Sequence, residues 1–392
     1  MVSNEISKLE LIQARISFIP EGWKLDKVGE ALNIKNNFRK PISQEVRSLI
    51  PGPYPYYGPT KIQDHIADYE QDGIYALIGE DGDHFLKYET MRQTQFISGK
   101  CTVNNHAHII ESSDTCDSEW FYIYFQYRNI TNFLSRQGAG RFKLNKATLE
   151  KLPLLVPPLP EQQKIAKILS TWDQAISTTE RLIDNSTQQK KALMQQLLTG
   201  KKRLLDDSGK RFEGEWEEGK LADFAKIKKG KALSSKDLKE GSYPVIAGGK
   251  SSPYTHSDFT HENVITVSAS GAYAGYVAYF DYRIWASDCS VLEPKGDNNI
   301  KYLYYWLSNQ QQKIYTLQSG GAQPHIYPRD LESMKISIPS CIEQQKIAIM
   351  LTNADKEIEL LEQQLADLQQ EKKALMQVLL TGKKRVVVDG EA

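Results

Sequence analysis

No stretch of eighteen consecutive apolar residues occurs in this 392-residue sequence, so no membrane-spanning helix is expected. The opening MVSNEISKLELIQAR is charged throughout and lacks the apolar core of a secretory signal. Cysteine is scarce. Cys101, Cys116, Cys289 and Cys341 fall at no metal-binding or redox spacing and read as free thiols in a reducing cytoplasm, the expected location. Charge of either sign is not in excess: 49 Lys and Arg balance 49 Asp and Glu. That supplies no overall basic footprint for nucleic acid, although a local basic stripe or a partner subunit can bring one.

Catalytic signatures are also missing. Gly249-Lys250-Ser251 resembles the end of a phosphate-binding loop, but Pro244 stands where the loop needs its first glycine. Gly138-Ala139-Gly140 is followed by Lys143 where a dinucleotide fingerprint needs a third glycine. No Asn-Pro-Pro-Tyr/Phe or Asp-Pro-Pro-Tyr stretch and no Gly-x-Ser-x-Gly elbow appears. His106 and His108 lack further ligands at metal-site spacing, and Glu80, Asp81 and Asp83 lie among glycines like a tight turn. No catalytic residue and no metal site are therefore expected.

What the chain has in quantity is repetition. Glu-Gln-Gln-Lys-Ile-Ala stands at 161–166 and again at 343–348, and aligning 161–203 with 343–385 gives 24 identities in 43 positions. Such agreement at a constant offset of 182 marks an internal duplication. In the second copy Ile347, Leu351, Ala354, Ile358, Leu361, Leu365, Leu368, Leu375 and Leu379 alternate four and three apart, the seam of a coiled coil. The first copy keeps Ile165, Leu169, Trp172, Ile176, Ile183, Leu193 and Leu197, with Thr179 and Ser186 as polar interruptions. A lysine breaks the seam once in each copy, Lys190 and Lys372. Ser340 and Glu343 have capping-box spacing, prolines 157, 158 and 160 lead into the first copy, and Gly200 and Gly382 are placed to end each helix. Neither helix can hide its apolar seam alone, so the two should pack together.

The segments before the helices are rich in Tyr, Gly, Pro, Ser and short β-branched runs such as Ile74–Ile78 and Asn263–Val267. They echo one another faintly: Gly22-Trp23 answers Glu215-Trp216, and Tyr54-Pro55 answers Tyr243-Pro244. The expected fold is therefore α+β: two strand-rich mixed globular domains separated by an antiparallel two-helix coiled coil with approximate two-fold symmetry. The boundaries read as a first head over 1–157, a helix over 158–200, a second head over 201–339, a helix over 340–382 and a tail over 383–392. Two heads spaced about 34 Å apart would suit one face of duplex DNA.

On the paired Glu-Gln-Gln-Lys-Ile-Ala…Leu-Leu-Thr-Gly-Lys-Lys-Arg helices, each following a head, nearly the whole chain resembles the specificity subunit of type I restriction–modification enzymes. Shorter likenesses lie at Leu77–Gly82, Asn104–His108, Ala247–Lys250, Ser268–Gly271 and Ser319–Gln323. The resemblance implies a non-enzymatic DNA reader with two target recognition domains, each taking one half of a bipartite double-stranded target, while the coiled coil sets the gap. It further implies two modification subunits that methylate adenine and restriction subunits that cut DNA. S-adenosylmethionine, ATP and Mg would then belong to those partners, with no cofactor on this chain. The alternative is a coiled-coil scaffold whose heads bind protein or carbohydrate.

Base and phosphate contacts favour Lys, Arg, Asn, Gln and close-approaching polar loops. On that ground the candidates are Tyr57, Lys61, Arg136, Gln137, Arg141 and Lys143 in the first head, and Lys250, Ser270, Gln323, His325 and Tyr327 in the second. Two further basic features are the run Lys226-Ile227-Lys228-Lys229-Gly230-Lys231, a candidate phosphate contact, and the Lys-Lys-Arg ends at 201–203 and 383–385. The last two complement helix C-termini, a role that needs no DNA, and are also candidates to touch phosphate or an acidic partner surface.

Overall fold

A computed structural model describes residues 6–137, 141–234, 236–249, 254–320 and 323–388. Its contacts divide into two compact units, Met1–Thr178 with Leu365–Ala392, and Thr179–Gln364. Each unit thus joins one strand-rich domain to part of each repeated helix.

The first unit carries β1 (Lys24–Lys27), β2 (Asn33–Ile34), β3 (Pro51–Tyr57), β4 (Ile62–Ile66), β5 (Gln71–Gly79), β6 (Thr94–Val103), β7 (Ala107–Glu111), β8 (Ser135–Gln137), β9 (Arg141–Lys143) and β10 (Pro153–Val156). Six of them form a mixed sheet in the order β2-β7-β5-β6-β3-β4, and β1 pairs with β10. Ala76, Leu77 and Ile78 are all buried, because the middle of β5 is covered on both faces. The helix Ser118–Phe125 covers one face, burying Trp120, Phe121, Ile123, Tyr124 and Phe125. Asp117 caps it, its carboxylate accepting from Glu119 N at 2.9 Å.

The second unit carries β11 (Glu217–Lys220), β12 (Ala225–Lys229), β13 (Tyr243–Ile246), β14 (Thr255–His256), β15 (Val264–Ser268), β16 (Val277–Phe280), β17 (Trp285–Ala286), β18 (Cys289–Pro294) and β19 (Lys335–Ile338). The main sheet runs β12-β18-β15-β16, with a smaller sheet β14-β13-β17 and the pair β11-β19. The helix Ile300–Asn309, capped by Asn299, buries Tyr302, Leu303, Tyr305, Trp306 and Leu307.

The repeated helices run over Leu159–Leu197 and Cys341–Leu379, 39 residues each, about 58 Å at 1.5 Å per residue. Gly200 and Gly382 follow them with φ of 71° and 66°, a left-handed conformation that glycine adopts without steric cost. Within each unit, early residues of one helix meet late residues of the other. In the first unit Glu161 pairs with Arg385 and Asp173 with Lys372; in the second Arg203 pairs with Glu343 and Lys190 with Asp355. The helices therefore run antiparallel.

Ile165, Leu169, Ile176, Ile347 and Leu351 on the seam are buried, and Trp172, Ile358, Leu361, Leu365 and Leu368 are half-buried. The two seam lysines turn inward as well, Lys372 buried and Lys190 half-buried. They interrupt the apolar pattern but not the interface.

The duplicated Glu-Gln has a structural meaning. Gln162 accepts from Asp117 N at 2.8 Å and donates to the Pro157 carbonyl at 2.7 Å. Gln344 likewise accepts from Asn299 N at 3.0 Å and donates to the Pro339 carbonyl at 2.9 Å. Each glutamine ties the start of a long helix to the cap of a domain helix. The preceding glutamate does not close a capping box: Ser340 Oγ accepts from Glu343 N at 3.5 Å, but the Glu343 carboxylate is taken by Arg203, at 2.7 Å to both guanidinium nitrogens. Arg203 and Arg385 are thus committed to ion pairs, the first half-buried and the second still exposed, while the lysines of those basic runs remain for other contacts.

Candidate nucleic-acid interface

The strand ends of the two units superpose in register. In the first, β5 pairs Gly79 with Ala107 of β7; in the second, β15 pairs Ser268 with Cys289 of β18. Positions 80, 81 and 106 therefore answer positions 269, 270 and 288. The backbone bonds agree: Glu80 N donates to the His106 carbonyl at 2.8 Å, and Ala269 N to the Asp288 carbonyl at 3.1 Å. A third segment closes each frame. Leu144 N donates to the Glu80 carbonyl at 2.7 Å and Ile326 N to the Ala269 carbonyl at 2.9 Å, so Lys143 answers His325. Antiparallel bridges Asp81–Lys143 and Ser270–His325 complete the match.

On this shared backbone the side chains differ. In the first unit Asp81 Oδ1 lies 3.3 Å from His106 Nδ1, with His106 half exposed at 51%. Lys143 Nζ lies 3.3 Å from Glu80 Oε1, whose other oxygen accepts from Arg39 Nη1 at 2.7 Å. Burial works to raise the Glu80 pKa, but the Arg39 hydrogen bond, His108 and Lys143 outweigh it and hold the carboxyl below its ordinary range. In the second unit the Ser270 hydroxyl donates to the Asp288 carboxylate. His325 stacks on Tyr327, centroids 6.2 Å apart at 18°, and Lys229 and Arg329 lie 5.7 and 5.1 Å from the Tyr327 ring.

The residues singled out from sequence fall in several places. Lys143, Ser270 and His325 stand at the matched positions, with Tyr327 beside them and Gln323 exposed in the segment leading to His325. Arg136, Gln137 and Arg141 lie on the β8–β9 hairpin that leads into Lys143, with the Arg136 guanidinium 5.2 Å from the Phe142 ring. Lys61 is exposed in the turn between β3 and β4, where its carbonyl accepts from Gly58 N at 2.9 Å. Tyr57 packs against the core with Leu77, Val103 and Ala107, and burial raises its phenol pKa. Lys250 lies outside the described residues. The basic run at 226–231 forms β12 and its exit, with Lys231 Nζ 5.0 Å from the Trp285 ring.

Sequence reasoning missed Asp288 and Arg39, and it read Asp81 and His106 apart from each other. No local pattern marks them; only strand register brings them together. His108, two residues from His106, is instead buried, between Asn36 Nδ2 at 2.8 Å on Nδ1 and the Leu144 carbonyl at 2.7 Å on Nε2. Among the described residues no group of three His, Cys, Asp or Glu side chains is arranged to hold a metal ion, and no helix is long and apolar enough to cross a membrane.

Each matched set offers a carboxylate acceptor beside hydroxyl, imidazole or ammonium donors, the mixture that base edges in a groove present in complement. A family model for the type I restriction modification DNA specificity domain matches residues 20–185 and 213–370. A putative type I restriction enzyme specificity subunit of Haemophilus influenzae is 29% identical over 348 residues, covering 84% of this chain and 86% of its own length. The type I restriction enzyme MjaVIII specificity subunit of Methanocaldococcus jannaschii is 25% identical over 403 residues, covering 94% of each. Among solved structures, a type I restriction–modification S subunit from M. genitalium aligns with a TM-score of 0.69 at 16% identity, covering 92% of this chain and 99% of that one, a likeness of fold. With two specificity-domain matches, each holding one strand-rich domain and the first part of the helix after it, the chain belongs to the type I restriction–modification DNA specificity family.

Proposed function

We propose that this chain reads DNA for a type I restriction–modification complex, each strand-rich domain taking one half of a bipartite target. The observation that carries the reading is the doubled unit: one backbone frame and one set of helix-seating contacts, occurring twice with different side chains at the exposed strand ends. Two sensors of one design and unlike chemistry are what an asymmetric, two-part target requires. The family assignment disfavours the scaffold alternative.

In this reading the chain performs no chemistry. Two modification subunits supply adenine methylation with S-adenosylmethionine, and restriction subunits supply ATP- and Mg-dependent translocation and cleavage. The long helices set the number of unread base pairs, because their seam fixes a rigid register.

Mapping N6-methyladenine in cells with and without the gene tests this directly: a bipartite motif should vanish with the gene. Inserting seven residues in one register into both helices adds about 10.5 Å, or roughly three base pairs at 3.4 Å each. The expected result is a longer gap between unchanged half-sites. Altered half-sites with the old gap would refute the spacing role.

A further inference from the structure

Resting on that DNA-reading role, we propose that Asp81–His106–Lys143 and Ser270–Asp288–His325 are equivalent specificity triads, whose carboxylates select an exocyclic amino group on a base edge. The argument begins with what the duplication kept and what it changed. The Glu-Arg and Asp-Lys contacts of the helices recur in both units with the same residue types, and each glutamine again accepts from the backbone N–H of a cap, Asp117 or Asn299. At the strand ends the backbone bonds recur too, yet all three side chains differ. Residues that hold a shared fold together are retained in both copies; residues that distinguish two ligands on that fold diverge.

The nature of the divergence narrows the ligand. Each triad retains one carboxylate, but on opposite sides of the frame: Asp81 follows β5, whereas Asp288 precedes β18. Each carboxylate is oriented by the residue across from it, His106 at 3.3 Å in one case and the Ser270 hydroxyl in the other. Both acids stay accessible, Asp81 with 33% of its side chain exposed and Asp288 exposed as well. An accessible carboxylate repels the phosphate backbone, so at a DNA-facing site it weakens binding to every sequence. It returns affinity only where a donor meets it, and in the major groove the donors are cytosine N4 and adenine N6. Moving the acid from one side of the frame to the other displaces the base step it can reach, giving the two units different requirements on one scaffold.

The third positions are held differently. Lys143 is tethered by Glu80, whereas position 269 is an alanine and the His325 ring rests on Tyr327. Lys143 therefore presents a tethered ammonium, and His325 a flat ring stacked on Tyr327.

The test uses cells carrying the complete system and reads methylated motifs genome-wide. Asp288→Asn should relax or change one base of one half-site, cutting discrimination there about tenfold or more. The other half-site and the gap should stay as they were. Asp81→Asn should do the same to the opposite half-site. The identity of the relaxed base, cytosine or adenine, reports which amino group is read. Because a single change can cost folding, a second variant places the first unit's pair in the second unit, Ser270→Asp with Asp288→His, which preserves a hydrogen-bonded pair; its half-site should shift. An unchanged half-site in a variant that methylates normally would overturn the triads, as would equal loss at both half-sites with an unaltered melting temperature. Absence of any bipartite methylation in the unmodified system would instead sink the DNA-reading role itself.

Discussion

Lys372 Nζ lies 2.8 Å from both carboxylate oxygens of Asp173, and the pair recurs as Lys190 with Asp355 at an offset of 182. The lysines that break the leucine pattern are thus one half of a duplicated ion pair. A charged pair on a largely apolar seam fixes register, since any slip leaves a buried charge unmatched.

The two copies of this pair are buried to different depths, which orders their energetic weight. Lys372 is 7% exposed against 22% for Lys190. Burial pushes the Lys372 ammonium pKa down, and Asp173 opposes that shift. Asp173→Ala strands the buried Lys372 and removes an ion-pair partner 2.8 Å from Arg92, which keeps the Tyr127 hydroxyl at 3.2 Å, and should cost about 3–5 kcal/mol. Lys372→Met should cost less, because Asp173 keeps Arg92, and Asp355→Ala less again because water reaches Lys190. Thermal melts of the four proteins check that order.

The bidentate Arg-Glu pairs carry a second asymmetry. Glu161 and Glu343 are almost wholly buried, 3% and 0% exposed. Glu161 also accepts from Trp23 Nε1 at 3.0 Å, whereas the buried Trp216 Nε1 has no hydrogen-bond partner among the described residues. Arg203→Ala leaves Glu343 without a charge partner and should destabilise by about 3–5 kcal/mol. Arg385→Ala should be milder by about 1 kcal/mol, the worth of the retained indole bond. Denaturant midpoints of the two variants measure the difference.

Helix ends that look alike in sequence should respond unequally to one substitution. A Cβ at Gly200 would meet Trp216 at 3.4 Å, ordinary contact, while a Cβ at Gly382 would fall 2.2 Å from Pro20 Cγ. Both changes share the left-handed strain of about 1–2 kcal/mol, and only Gly382→Ala adds a clash. A larger drop in melting temperature for Gly382→Ala than for Gly200→Ala is expected.

Acid should weaken the first unit before its carboxylates titrate. Burial pushes the His84 pKa from 6.5 down to about 4, with Asp81 and Asp83 pulling the other way. The folded state thus keeps His84 neutral while the unfolded chain takes up a proton. Its stabilising effect is complete above pH 6.5 and lost as pH falls toward 4, at up to about 1.4 kcal/mol per pH unit. His84→Gln should flatten the fall in melting temperature between pH 7 and pH 5.

The amino-acid sequence by itself determined the duplication, the existence of two long helices and their seam, because heptad spacing and glycine stops are local and periodic; their 39-residue extents came from the structure. It also offered the echo of Trp23 in Trp216, and the structure gives that echo a meaning: the two rings lie 5.8 and 5.7 Å from Arg385 and Arg203, the equivalent arginines beyond the two helices. Only the tertiary structure decided why Glu161, Gln162 and the seam lysines repeat, because their partners lie far along the chain. It alone joined Asp81 to His106 and Ser270 to Asp288, residues 25 and 18 apart. Strand register makes such neighbours, and register depends on the whole sheet, so no short stretch of sequence could announce them.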